Sequence, residues 1–306
     1  MKLHSPPIPT RSSDGKYAFP TVKEPASGSK GVVTSNHVLA SHAGVELLLA
    51  GGNAVDAAIG TMFALSVVEP MMTTVFGAGF TNIHMADGTD IVIDNYAEVP
   101  KAATPDLFEP IPDHLDHGVV DDLNLTGHLA VGVGGTCLGW ATAIEKYGNL
   151  ELYDVVAPAV RLATKGFPVS PYLKQSIINA EAGLRRFTDS QKVFLPGDHV
   201  PEVGHRIIRS DYANTLERIG SEGPGYLYGG PLGKAIADDM RAHGGLITEE
   251  EISDYKIYER PPVIARIGAG YEILAPPPPS SGGTHIVQMM NTVSYTHLTL
   301  PTNREV

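Results

Sequence analysis

The stretch GGNAVDAAIGTMFALSVVEPMMTTVFGAGF, residues 51–80, limits the fold more than any other part of the chain. Between residues 54 and 68 apolar side chains point in almost every direction around a helix axis, which requires a helix covered on all sides. A bilayer span needs about 20 apolar residues, and this segment is shorter and contains Asp56, so it reads as a core helix. Gly51-Gly52 can take the positive-φ conformations that end a preceding helix, Asn53 can cap the next one, and Pro70 closes it. Gly77-Ala78-Gly79 then brings backbone close to a neighbour and hands the chain to a strand, although a plain helix-to-strand turn needs the same glycines.

Elsewhere the punctuation is local. Residues 1–30 are rich in Pro, Ser and Lys and read as a loosely attached arm. A short strand is expected at residues 31–34, followed by a helix capped by Ser35 or Asn36 with Val38, Val45, Leu48 and Leu49 on one face. FTNIHMA and DIVIDNY flank Asp87-Gly88, a hairpin signal. HLAVGV (128–133) reads as a strand, CLGWATAIEKYG as a helix ended by Gly148, and further helices are expected over 152–164, 172–187, 211–219 and 231–243. Thr248 and Glu251 have capping-box spacing. YKIYERPPVIARI and YEILA look like strands, and THIVQMMN starts a last helix that residues 293–306 are not expected to continue. That tail, VSYTHLTLPTNREV, fits no pattern and reads as non-native sequence. Interleaved strands and helices with a hairpin give an α/β or α+β layered domain.

Composition excludes several function classes. A net charge of −12 with no basic stripe argues against nucleic-acid and anionic-membrane partners. Cys137 is the single cysteine, so no intrachain disulfide forms, and residues 1–20 hold no apolar run of signal-peptide type. The expected location is the cytoplasm, with no cofactor.

Four constellations are candidates for chemistry. Gly135-Thr136-Cys137-Leu138-Gly139 has the outline of a nucleophile elbow, with His243 or His285 as the base, but better suits a small buried Cys opening a helix packed close to a strand. His114 and His117, beside Asp113 and Asp116, have no further ligand pattern, so no metal site is expected there. GPGYLYGGPLGKA fails as a phosphate loop, because Tyr228 stands where the first Gly is needed and Ala235 replaces Ser or Thr. PSSGG (279–283) can expose backbone N–H groups at a helix start, or be a helix entry alone.

GVVTSNHVLASHAGVELLLAGGNAVDAAIG, VVEP, GAGF, IDNYAEVPKAATPDLFEP, GHLAVGVGGTCLGWATAIEKYG, GPGYLYGG, GGLITEEEISDYKIYERPPV and PPPPSSGGTHIVQMMN together resemble the large-subunit half of gamma-glutamyltransferases, over residues 31–292. The resemblance implies a four-layer αββα sandwich of the N-terminal-nucleophile hydrolase type, of which this chain supplies part, and a place in glutathione metabolism. It also implies autoprocessing that frees a threonine, which attacks an amide with its own α-amino group as base. That threonine lies beyond this chain, so the chain alone is expected to be inactive, with a small-subunit half and a small amide or gamma-glutamyl compound as partners.

The family's substrate-gripping arginine falls at Tyr96 and its glutamate at Ala97, while the glycine-rich turn is reduced to Gly77, Ala78 and Gly79. Since arginine pairs with a carboxylate in a way neutral groups do not reproduce, gamma-glutamyl specificity is left open. The alternatives are a related amidohydrolase or acylase on another small amide, a non-catalytic scaffold or binding subunit, and a Cys137-dependent hydrolase.

Overall fold

The computed structural model describes residues 26–112, 118–267 and 270–299, with side chains through Val293. Two helices open it, α1 (Val38–Leu49) and α2 (Ala54–Val68). A hairpin follows, β1 (Phe80–His84) and β2 (Asp90–Asp94), then α3 (Thr136–Tyr147) and α4 (Leu152–Lys165). Next come the two-residue β3 (Phe167–Pro168), α5 (Pro171–Leu184), α6 (Thr188–Phe194), β4 (Arg206–Ile207), α7 (Ser210–Glu222), α8 (Pro231–Ala242) and α9 (Glu249–Asp254). The chain closes with β5 (Tyr258–Arg260), β6 (Val263–Ile267), β7 (Tyr271–Ala275) and α10 (Ser281–Thr299). Among the described residues the strands form three antiparallel sheets, ordered β1-β2-β5, β3-β4 and β6-β7. The fold is therefore mixed α/β. Among these residues no helix is long and apolar enough to cross a membrane.

Helix α2 is the axis of the core. Its residues Ile59, Phe63, Ala64, Val67 and Val68 are all buried, and α1, α3 and α4 pack around it while α7 covers α4. Phe63 meets Trp140 of α3 edge-on at 4.8 Å, a geometry that favours aromatic pairs. The two ends of α2 are held by different chemistry. At the start, Asn53 and Asp56 form a capping box, and the fully buried Asp56 carboxylate also accepts from the N–H groups of Asn149 (2.9 Å) and Leu150 (3.2 Å). One acid thus satisfies the helix end and the α3–α4 turn together, which explains its place in an otherwise apolar helix. At the far end, Arg209 donates to the carbonyls of Ser66 (2.7 Å) and Val67 (3.1 Å), and its guanidinium lies 4.0 Å from the Tyr212 ring centre. A cation on the last carbonyls complements the helix dipole, and burial depresses the Arg209 pKa without removing its charge.

Several expectations are corrected. Residues 31–34 are not a strand, and the cap of α1 is His37, whose Nδ1 accepts from Leu39 N–H, rather than Ser35 or Asn36. Asn36 instead donates to the buried Glu69 carboxylate. The apolar face expected on α1 is the wrong one: Val38 and Leu49 are 63% and 85% exposed, while Ala40, Ala43, Gly44 and Leu47 are buried. Close approach decides this, because any Cβ at Gly44 would lie 2.7 Å from the Ala57 carbonyl oxygen. HLAVGV is not a strand either; residues 128–130 make a 3-10 turn and only Val133 pairs, across to Glu98. The helix expected over 172–187 ends at Leu184, and α6 begins afresh at Thr188. Finally, α10 runs on through Thr299, so the expected break at residue 293 is absent.

Candidate active-site wall

The turn after α2, the end of β2 and the start of α3 meet at one place. The Gly77 carbonyl accepts from Thr136 N–H (3.2 Å) and the Val75 carbonyl from Cys137 N–H (2.9 Å), so the turn carries the first donors of α3. Gly134 fits only because it has no side chain: a Cβ there would lie 2.1 Å from the Phe76 carbonyl oxygen. On the other side, Asn95 N–H donates to the Gly79 carbonyl (3.1 Å), and the buried Asn95 amide, assigned with its NH2 toward the Gly79 carbonyl (3.2 Å) and its oxygen toward the Gly79 N–H (3.3 Å), pairs with the same residue. Gly77 and Gly79, the two glycines expected to form a structural turn, thus bridge α3 and β2.

This frame presents Tyr96. Its ring stacks on Phe80 at 5.3 Å with 26° between planes and is 51% exposed. Its backbone is fixed at both polar groups: N–H donates to Asp94 Oδ1 (3.1 Å), and the carbonyl accepts from the Tyr255 hydroxyl (2.7 Å). Asp94 is buried and its other oxygen accepts from Arg260 Nε (2.7 Å). The nearby Tyr228 hydroxyl donates to the Gly134 carbonyl (2.8 Å). Burial pushes the Tyr228 and Tyr255 pKa values up, so both phenols stay protonated and act as donors. Beneath the turn, the Thr136 hydroxyl is buried with no hydrogen-bond partner among the described residues. The wall is aromatic where Tyr96 is exposed, with the exposed Glu98 and the partly exposed Arg260 beside it.

The cysteine alternative is contradicted. Cys137 is fully buried, and burial pushes its thiol up to about 12, the opposite of the activated thiolate a nucleophile needs. The candidate bases are engaged elsewhere or exposed. His243, beyond the end of α8, has Nδ1 3.1 Å from Asp239 and its ring stacked 4.7 Å from His128, and His285 is exposed on α10. His128 Nε2 is in turn 2.9 Å from Asp239. Of the His128–Asp239–His243 cluster, only His243 is a candidate chemical group in the sequence. The readable signal was the spacing of Asp239 and His243, four apart on an expected helix; the third member lies 111 positions away from Asp239. His114 and His117 lie outside the described residues.

The site is thus a glycine turn and an aromatic wall set beside a buried helix in a helix-rich α/β chain. The chain belongs to the gamma-glutamyltranspeptidase family, whose model it matches over residues 40–305. It is 46% identical over 275 residues to an acylase ACY 1 proenzyme from a Pseudomonas strain, covering 89% of this chain and 49% of that protein. A glutathione hydrolase proenzyme of Escherichia coli is 37% identical over 272 residues, 88% of this chain and 46% of that protein. The solved Helicobacter pylori gamma-glutamyltranspeptidase superposes with a TM-score of 0.83 at 33% identity, covering 92% of this chain and 80% of that one. The chain spans about half the length of the curated relatives it matches.

Proposed function

We propose that this chain is the large-subunit portion of an acylase-type member of the family, hydrolysing or transferring the acyl group of a small amide other than a gamma-glutamyl compound. The nucleophile in this reading is an autoprocessed threonine outside these residues, acting with its own α-amino group. Backbone donors around it stabilise the oxyanion. The chain contributes helical layers and part of the sheets of an αββα sandwich, together with the wall at Tyr96. Apolar side chains left uncovered on β6, β7 and α10, among them Ile264, Tyr271, Ile286 and Met289, support the idea that more chain packs there.

The observation that carries the substrate assignment is Tyr96. The resemblance puts a carboxylate-gripping arginine at this position, and the structure has a half-exposed tyrosine backed by Phe80. The stacked Tyr96 and Phe80 rings, which carry no cation of their own, favour an apolar or aromatic acyl group. A free α-carboxylate placed there loses a charge-assisted pair worth about 1.5–3 kcal/mol, roughly 10- to 100-fold in binding. The higher identity to the acylase than to the glutathione hydrolase supports the same assignment. The test is kcat/KM of the complete, processed enzyme for an apolar N-acyl amide and for a gamma-glutamyl amide. A preference for the gamma-glutamyl amide would overturn the assignment.

A further inference from the structure

We propose that His128, Asp239 and His243 form a binding site for a borderline transition-metal ion of the Zn2+ class, separate from the wall at Tyr96. The three side chains come from two elements. His128 lies on the 3-10 turn 128–130, while Asp239 and His243 project from the last turn of α8 and its cap, four residues apart on one face. One ligand atom from each lies within 4.8 Å of the others. The paired distances are shorter still: His128 Nε2 to Asp239 Oδ2 is 2.9 Å, and His243 Nδ1 to Asp239 Oδ1 is 3.1 Å. Zn–N and Zn–O bonds of about 2.0–2.1 Å in tetrahedral geometry place ligand atoms about 3.3 Å apart, so the trio becomes a chelate once one imidazole rotates out of the stack that now holds the two rings 16° from parallel.

His128 is held in place by packing. Its ring meets Phe187 edge-on at 5.7 Å, and its Cβ and carbonyl pack against Gly245, where a Cβ would lie 3.1 Å from the His128 Cβ. In the hydrogen-bonded trio the nitrogens that face Asp239 carry the N–H. Coordination therefore requires each neutral imidazole to move its proton to the other ring nitrogen, after which the ion takes the place of the two hydrogen bonds to Asp239. It also displaces the contact of His243 Nδ1 with the Asp239 carbonyl (2.9 Å). A fourth position opens onto a cleft of ≈690 Å³ that Asp189 and Ser190 also line, which leaves room for water or an additional oxygen ligand. The neighbouring cation Arg241 is paired with Asp238 (2.8 Å), and Arg186, also on this cleft, sits 6.0 Å from the Phe187 ring centre. Two imidazoles and one carboxylate select Zn2+, Ni2+ or Co2+ over Mg2+ and Ca2+, which prefer all-oxygen sets.

The ion would tie the 128–130 turn to α8. That turn runs directly into Val133, which pairs with Glu98 beside the wall, so the tie stiffens the approach to Tyr96 without touching it.

The test is a titration of the intact protein with Zn2+ alone against a competing chromophoric chelator, and with Co2+ followed by its visible absorption. We expect one equivalent of Zn2+, no competition from Mg2+, and a tetrahedral-type Co2+ spectrum. His243→Asn and Asp239→Asn, both at exposed positions, should each weaken binding at least about tenfold while circular dichroism is unchanged. The exposed His205 serves as a control, and His205→Asn should bind as the parent does. Equal affinity in parent and His243→Asn, or less than one equivalent in the parent, would overturn the proposal.

Discussion

Replacing Asp56 by alanine should destabilise this chain more than almost any other single change. The carboxylate accepts from Asn53 N–H at 2.7 Å, Asn149 N–H at 2.9 Å and Leu150 N–H at 3.2 Å, and it is fully buried. Hydrogen bonds to a charged acceptor contribute about 1.5–3 kcal/mol each, and a buried donor left without a partner costs about 1–3 kcal/mol. These terms overlap, since the three donors share one acceptor and water reaches part of the turn. A loss of about 4 kcal/mol follows, in the range of 3–5 kcal/mol found when one partner of a buried charged contact is removed. Against a total stability of about 5–15 kcal/mol, that is a large share. Asp56→Asn keeps the shape but turns an NH2 toward backbone donors, and should cost about 2 kcal/mol or more. Urea denaturation followed by circular dichroism measures the loss, and amide exchange at Asn149 and Leu150 reports whether it arises at the turn. A Asp56→Ala protein within about 1 kcal/mol of the parent, with unchanged exchange at those two amides, would refute the reasoning.

Other consequences can be checked more simply. Cys137 should resist thiol reagents in the native state and react after unfolding, and Cys137→Ala should leave the processed enzyme active. Gly134→Ala forces a Cβ to within 2.1 Å of the Phe76 carbonyl oxygen, so it should cost at least about 3 kcal/mol, the upper end for overpacking, measured by the same denaturation. Burial pushes the Glu251 carboxyl up, but bonds from Lys101 N–H (2.5 Å) and Thr248 N–H (2.9 Å) outweigh it and leave its pKa below the ordinary carboxylate value. The sign follows: its contribution to stability is complete above the unfolded pKa of about 4.3 and is lost as pH falls through the lower folded value. Glu251→Gln should therefore flatten the acid limb of a stability–pH curve and leave its shape near neutrality unchanged.

What could be read from the sequence was local chemistry. The limits of α2, its Asn53 cap, the Asp87-Gly88 hairpin and the Thr248/Glu251 capping box each depend on residues within a few positions of one another, and the structure contains all of them. Gly88 takes the positive φ that the turn requires. The failures lie where distant backbone decides. The apolar stripe of α1 lost to a face of small residues, because α1 and α2 cross closely at Gly44. HLAVGV has strand composition, but Gly132 and Gly134 are pressed against the Glu98 and Phe76 carbonyls, leaving no partner strand beyond the Val133 bridge. The convergence of Gly77, Gly79, Phe80 and Tyr96 was half visible, since the glycines flagged a close approach without saying what approached. The protonated tyrosines Tyr228 and Tyr255, which fix the wall from behind, carry no sequence signal for that role.

The most direct test of the substrate assignment is one kinetic comparison in the complete, processed enzyme that contains this chain. The ratio of kcat/KM for an apolar N-acyl amide to that for a gamma-glutamyl amide is measured for the parent and for Tyr96→Arg. The account predicts a ratio above one in the parent and a fall of about tenfold or more in the variant, as the new guanidinium grips the α-carboxylate. A parent that prefers the gamma-glutamyl amide, with a ratio that Tyr96→Arg leaves unmoved, would contradict it.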